Sequence, residues 1–343
     1  MVDDPVFDAE ELREKYEELS TKYESLAENL LEALVLFLDD AKISYLQVSY
    51  RIKDFDSFID KCRRKKYYNE PFVKCTDICG LRIIYYYLTD IEKISKIIEK
   101  EFDVLEKEDK LQILSKDQFG YRDFQFIVKI KKEWSKTPNY RGLEDFVAEI
   151  QVRTILMHAW DEIEHELSYK KDEEIKQKIK RKLSKISAKL EDADEDFEEV
   201  RNEATEYRKE IIDKAKKEEG KFDKNLPLNL DSLQAFLDYN FPDRISRKES
   251  TKKLLADLIR NNISMSEIVE STEKYIKTIP EIEKDRINKL KIPRKFLKGD
   301  KYWSQIGVLK LIISLGNTKY LNQREISVSI RNLYLKWSEK LNN

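Results

Sequence analysis

Glycine and histidine are scarce in this chain. Seven glycines in 343 residues argue against long flexible linkers and glycine-rich phosphate loops. Two histidines, His158 and His165, are too few for a metal-dependent phosphohydrolase, whose metal shell needs several. Three cysteines, Cys62, Cys75 and Cys79, cannot all pair, and with no histidine nearby their spacing does not suit zinc; reduced buried thiols are expected. No apolar run approaches the roughly 20 residues that span a bilayer. The acidic start, MVDDPVFDAEELREKYEE, lacks the apolar core of a signal peptide. Net charge of one sign is also missing: 38% of residues are charged, yet the formal net charge is −2. Interspersed charge of this kind fits a soluble cytoplasmic protein with much exposed helix, and any nucleic-acid footprint has to be local.

What is present reads as two parts. Residues 8–47 suggest one or two amphipathic helices, with Leu12, Tyr16, Leu19, Tyr23 and Leu26 at helical spacing. Asp54 to Ser57 offers capping residues before a basic helix through Lys61, Arg63, Arg64, Lys65 and Lys66. Strands are expected at 80–88, 102–106, 120–130 and 146–153, with a helix over 90–100. Almost unbroken helix follows from Ile155 to about Lys217. The expectation is an α/β (α+β) fold, a mixed sheet flanked by helices, over residues 1–217. A linker at 218–227 then leads to a mostly helical domain over 228–343, broken at Pro280 and Pro293.

Four segments carry residues suited to chemistry. Arg51 and Lys53 flank Ile52, so an extended backbone points both cations the same way, as a polyphosphate grip requires; Ser57 and Lys61 follow. Asp77 precedes a buried strand that carries Arg82, which makes it either a metal ligand or a turn residue. Tyr121 follows Gly120 at a strand entry, placed to stack on a base or to fill a rim. Strand alternation sets Glu149, Gln151 and Arg153 on one face and Ile150 and Val152 on the other. The helix after it carries His158 and His165, seven apart and so on one face.

Singly these motifs are ordinary; their order is not. R-x-K with a basic helix, then D-I-x-G-x-R, then G-Y, then E-x-Q-x-R-T with M-H-x-W, E-H and Y-K resembles the RelA/SpoT-like alarmone synthetases over residues 10–210. The resemblance implies a nucleotidyltransferase-like fold. It also implies transfer of pyrophosphate from ATP to the 3′-hydroxyl of GDP or GTP, with Mg²⁺ as cofactor. Carried over by motif, Asp77 and Glu149 would be the catalytic and metal-binding acids. Arg51, Lys53, Ser57, Lys61 and Arg82 would hold ATP, while Tyr121, Gln125, Gln151, Arg153 and His158 would serve the acceptor.

Two positions depart from the pattern. The family's Ser-x-His after G-Y-x is Asp123-Phe124-Gln125 here, and Asp54 stands where a serine follows R-x-K. These departures keep two alternatives open. One is a toxin-type synthetase that modifies the tRNA 3′ end or makes adenosine alarmones, restrained by residues 228–343. The other is an inactive nucleotide-binding regulator. The basic pieces 244–253 and 289–301 could meet RNA, and the C-terminal domain could equally serve a protein trigger or a homo-oligomer.

Overall fold

The computed structural model describes residues 9–109, 124–167, 173–217, 221–246, 248–290 and 301–342. The chain divides into two compact units, Met1–Val200 and Arg201–Asn343. The division falls inside a helix, and the stretch 218–227 follows it. Ile211 and Ala215 of that helix, with Phe222 beyond it, belong to the second unit's core.

The first unit begins with α1 (Ala9–Asp40), β1 (Tyr45–Ile52), α2 (Phe55–Lys65), α3 (Pro71–Lys74), β2 (Cys79–Tyr85) and α4 (Asp90–Glu101). It continues with β3 (Phe102–Asp109), β4 (Phe124–Ile130), β5 (Ala148–Thr154), α5 (Ile155–Leu167) and α6 (Glu173–Lys217). The five strands lie in the order β1-β2-β5-β4-β3. Among the described residues β2 and β5 run parallel and the other strand pairs antiparallel. The sheet is therefore mixed, as the sequence implied.

Register separates the two faces. Leu81, Ile150 and Phe126 lie side by side and join Leu26, Leu30 and Leu34 of α1 in the apolar core. The opposite face carries polar rows. Ser49, Arg82, Gln151, Gln125 and Glu108 align across all five strands, and Arg51, Gly80, Glu149 and Ile127 form the next row. The alternation inferred for Glu149, Gln151 and Arg153 thus becomes one side of the sheet.

The element missing from the sequence reading is β1. The stretch 8–47 proves to be one helix ending at Asp40, and an edge strand starts at Tyr45. Its burial does not alternate cleanly and its pairing shifts between Tyr45 and Gln47, so the period of two is blurred. The almost unbroken helix expected from Ile155 to about Lys217 is described as α5 and α6, with 168–172 outside the described residues. Residues 120–123 of the expected third strand also lie outside them.

Local chemistry explains α2. Asp54 caps it, accepting the Ser57 N–H at 2.9 Å, and Lys66 ends it in the left-handed region at φ 57°. Aspartate caps a helix about as well as serine, so the substitution at Asp54 costs the helix start nothing. Two carboxylates of α6 tie that helix to the sheet unit. Asp194 accepts from the Thr154 hydroxyl at 2.6 Å, and Glu198 accepts from the Thr89 hydroxyl at 2.9 Å.

The second unit comprises α7 (Leu230–Asn240), α8 (Lys248–Arg260), α9 (Met265–Tyr275), α10 (Ile279–Leu290), α11 (Gln305–Gly316), α12 (Thr318–Gln323) and α13 (Val328–Asn342). Val308, Leu309, Leu311, Ile312, Ile313 and Leu315 bury α11 nearly all round, as expected of a central helix. Pro280 sits at the start of α10, where a missing N–H is tolerated. Arg244, part of the basic piece 244–253 that could meet RNA or serve packing, turns inward. Its guanidinium grips Glu283 with two bonds of 2.8 and 2.7 Å. Lysines 291–300 of the second basic piece lie outside the described residues.

Candidate active site

The site grows from the polar face of the sheet and the two turns at its edge. After β1 the chain stays tied to β2, since the Lys53 N–H donates to the Ile78 carbonyl at 2.9 Å. That bond holds Lys53 beside the turn that carries Asp77. Lys53 Nζ lies 3.1 Å from Asp77 Oδ2, and Lys61 Nζ of α2 lies 2.8 Å from the same oxygen. The Cys75 thiol donates to the other oxygen, Oδ1, at 3.2 Å. Both carboxylate oxygens are occupied.

The ionisation follows from this arrangement. Burial alone would raise the Asp77 pKa. The Lys61 hydrogen bond, the Cys75 thiol and the charges of both lysines outweigh it and hold the carboxyl below its usual value. Burial likewise works against the Lys61 ammonium, and Asp77, with Cys75 and Glu149 behind it, holds its pKa above normal. Lys61 therefore stands in the field of both acids. Cys62, Cys75 and Cys79 are free and buried, as expected.

Glu149 lies mid-sheet, 9% exposed, and accepts from the Gln151 amide two residues on. Arg51 is exposed at the edge, and its side chain runs across Gly80; a β-carbon there would sit 3.6 Å from Arg51 Cγ. Gly80 thus lies under the Arg51 side chain, between Arg51 and Glu149 in the row.

Arg82, one row on, gives Nη1 to Glu162 Oε1 at 2.7 Å and lies 3.3 Å from His158 Nδ1. With Arg82 as donor, His158 Nδ1 is the acceptor and carries no proton. Burial first, then the Arg82 charge, lowers the His158 pKa. The Arg82 hydrogen bond lowers that of Glu162. Arg153 is buried and ion-paired with Asp161 of α5. Gln125 stands opposite Gln151. Ser57 is exposed in the first turn of α2, its N–H given to Asp54. Tyr121 and Asp123 lie outside the described residues.

The structure thus brings Lys53, Lys61 and Asp77 together, and Arg82 with His158. It also shows partners that the sequence reading passed over: Cys75 on Asp77, Glu162 on Arg82, and Asp161 on Arg153. Glu162 lies one turn beyond His158, the spacing that could have flagged it. Cys75 carried no such signal.

An acid under two ammonium groups, a second acid in the next strand and two arginines on one polar face are a set of groups chemically suited to polyphosphate. Residues 50–174 match the family model described as the region found in RelA / SpoT proteins. Over 161 residues the chain is 30% identical to the Bacillus subtilis GTP pyrophosphokinase YjbM, covering 46% of this chain and 73% of that one.

The chain belongs to the RelA/SpoT family.

A second relative, the Bacillus subtilis GTP pyrophosphokinase YwaC, is 28% identical over 132 residues, 38% of this chain and 60% of that protein. Among solved structures, small alarmone synthetase 1 from Bacillus subtilis aligns at 30% identity and a TM-score of 0.47, covering 56% of this chain and 98% of that one. Membership makes this RelA/SpoT-family protein a pyrophosphate-transferring enzyme. Among the described residues no helix is long and apolar enough to cross a membrane.

Proposed function

We propose that this chain transfers the pyrophosphate of ATP to the 3′-hydroxyl of GDP or GTP and releases AMP. The observation that carries the reading is the Asp77 cluster, a carboxylate shared by Lys53 and Lys61 at the mouth of the polar face. Such a group can exchange its partners. Polyphosphate would draw the two ammonium groups, and the freed carboxylate would be available to a cation. The relatives' name, GTP pyrophosphokinase, supplies the acceptor class.

A divalent ion fits the donor set. Mg²⁺ takes hard oxygens from one or two carboxylates and completes its shell with phosphate and water. Asp77 and Glu149 offer that much. Among the described residues no group of three or more His, Cys, Asp or Glu forms a cage. When bound, the ion would neutralise charge on the transferring group. The chain's own residues do the rest. Arg51 and Arg82 offer planar cations for the donor nucleotide. Glu149, steadied by Gln151, would either help hold the ion or accept the proton of the attacking hydroxyl. Gln151 and Gln125, paired across β5 and β4, would offer neutral amides to the acceptor. Phosphoryl transfer needs positioning and charge neutralisation more than covalent help.

The test is to incubate the purified full chain with ATP, Mg²⁺ and GDP or GTP, with tRNA as a parallel acceptor, and to separate the nucleotides. AMP together with a 3′-pyrophosphorylated guanosine nucleotide is expected. Neither product at high enzyme concentration, or label passing to tRNA alone, would overturn the acceptor assignment.

A further inference from the structure

We propose that Glu162 of α5 is a positioning residue for the ATP donor, acting by fixing which edge of the Arg82 guanidinium is left to a phosphate. The proposal rests on the donor reading above, in which Arg82 serves ATP. A guanidinium has two forks that can grip an oxyanion, one formed by Nη1 with Nη2 and one by Nε with Nη2. Here both contacts fall on Nη1, which donates to Glu162 Oε1 at 2.7 Å and lies 3.3 Å from His158 Nδ1. The end-on fork is thereby taken, and the edge formed by Nε and Nη2 remains for the substrate. Arg82 stands opposite Gln151, in the row next to the Gly80–Glu149 pair, so its orientation bears directly on the polar face.

An exposed acid on a loose element would fix little, and the Glu162 side chain is 57% exposed. The helix that carries it is itself held. Asp161, the preceding residue, is ion-paired with the buried Arg153 of β5. Met157 of the same helix is buried, and its sulfur accepts the Thr154 N–H at 3.2 Å. Consecutive acids of α5 therefore hold arginines of two adjacent strands, Arg153 of β5 and Arg82 of β2. The first pair fastens the helix to the sheet. The second uses that fastened point to orient a cation before the nucleotide arrives, which spares binding the cost of ordering the side chain.

Calorimetric titration of the full chain with Mg²⁺ and the α,β-methylene analogue of ATP, which resists cleavage at the bond that transfer breaks, tests this. Glu162→Ala should bind the analogue about ten-fold more weakly than wild type, with an unchanged circular dichroism spectrum. Glu162→Gln keeps an acceptor oxygen at the same reach and should recover most of that affinity. In an Arg82→Ala background, Glu162→Ala should cost nothing further, because the acid acts only through that arginine. Equal or tighter binding by Glu162→Ala overturns the proposal, and so does the same loss with and without Arg82. A glutamine variant as weak as the alanine one overturns positioning through the hydrogen bond. A wild type that fails to bind the analogue overturns the donor reading itself, a failure distinct from a wild type that binds and a Glu162→Ala chain that binds equally well.

Discussion

Asp77 and Glu283 are both carboxylates held below their ordinary pKa among buried neighbours, yet they are held by different means. Asp77 meets two lysine side chains and a thiol. Glu283 meets the fork of Arg244 and the backbone N–H groups of Tyr302 and Trp303, at 2.6 and 2.9 Å. Lysine is a flexible point charge that can turn to another anion. A bidentate guanidinium backed by main-chain donors has fixed geometry. The first arrangement suits a site that must open to a substrate; the second suits a fastening. The same charge chemistry therefore separates a working group from a structural one, and substitutions can test that separation.

Asp77→Asn should lower pyrophosphate transfer on the order of 10²- to 10³-fold. It should cost only about 1–2 kcal/mol of stability, since both lysines can reorient. Product formation and urea denaturation read the two effects. Loss of fold with residual specific activity intact would reverse the comparison. Glu283→Ala should do the opposite, costing about 3–5 kcal/mol because Arg244 is left buried and unpaired. Urea melts measure it, and a change below 1 kcal/mol would remove Glu283 from its structural role.

Lys61→Met should weaken ATP use about ten-fold and move the acid limb of the rate profile to higher pH. Lys61 helps hold the Asp77 pKa down, so its removal lets the carboxyl protonate earlier. An acid limb that stays in place would show that Asp77 does not set it. The stability given by Glu283 is complete above the ordinary glutamate pKa and is lost as pH falls through its depressed value. Melting temperature should therefore drop more steeply below about pH 4.5 in wild type than in Glu283→Gln. Parallel curves would count against that linkage. The smallest effect is expected from Gln125→His. This change restores the residue type the resemblance expects there and should alter acceptor KM only a few-fold, leaving kcat for the same product unchanged.

The sheet and its working face were largely legible because their signals are local. β2 is a short, mostly apolar run, and alternation alone placed Glu149, Gln151 and Arg153 of β5 together. β1 was hidden because an edge strand with a shifted pairing does not alternate. The Asp77 cluster was only half visible. Sequence placed Lys53, Lys61 and Asp77 in neighbouring segments, but the thiol of Cys75 and the sharing of one oxygen by two ammonium groups are facts of tertiary geometry. Arg244 shows the reverse: a basic stretch looks like a surface until its counter-ion, 39 residues away, is located.

Thr154 stands at the corner where β5 becomes α5. Its hydroxyl accepts the Met157 N–H at 3.1 Å while donating to Asp194 of α6 at 2.6 Å. One oxygen atom thus pins a strand and two helices at a single point, three residues along the strand from Gln151. The corner behaves as a riveted joint. A displacement of α6 at Asp194 passes through this hydroxyl into β5, the strand that carries Glu149 and Gln151.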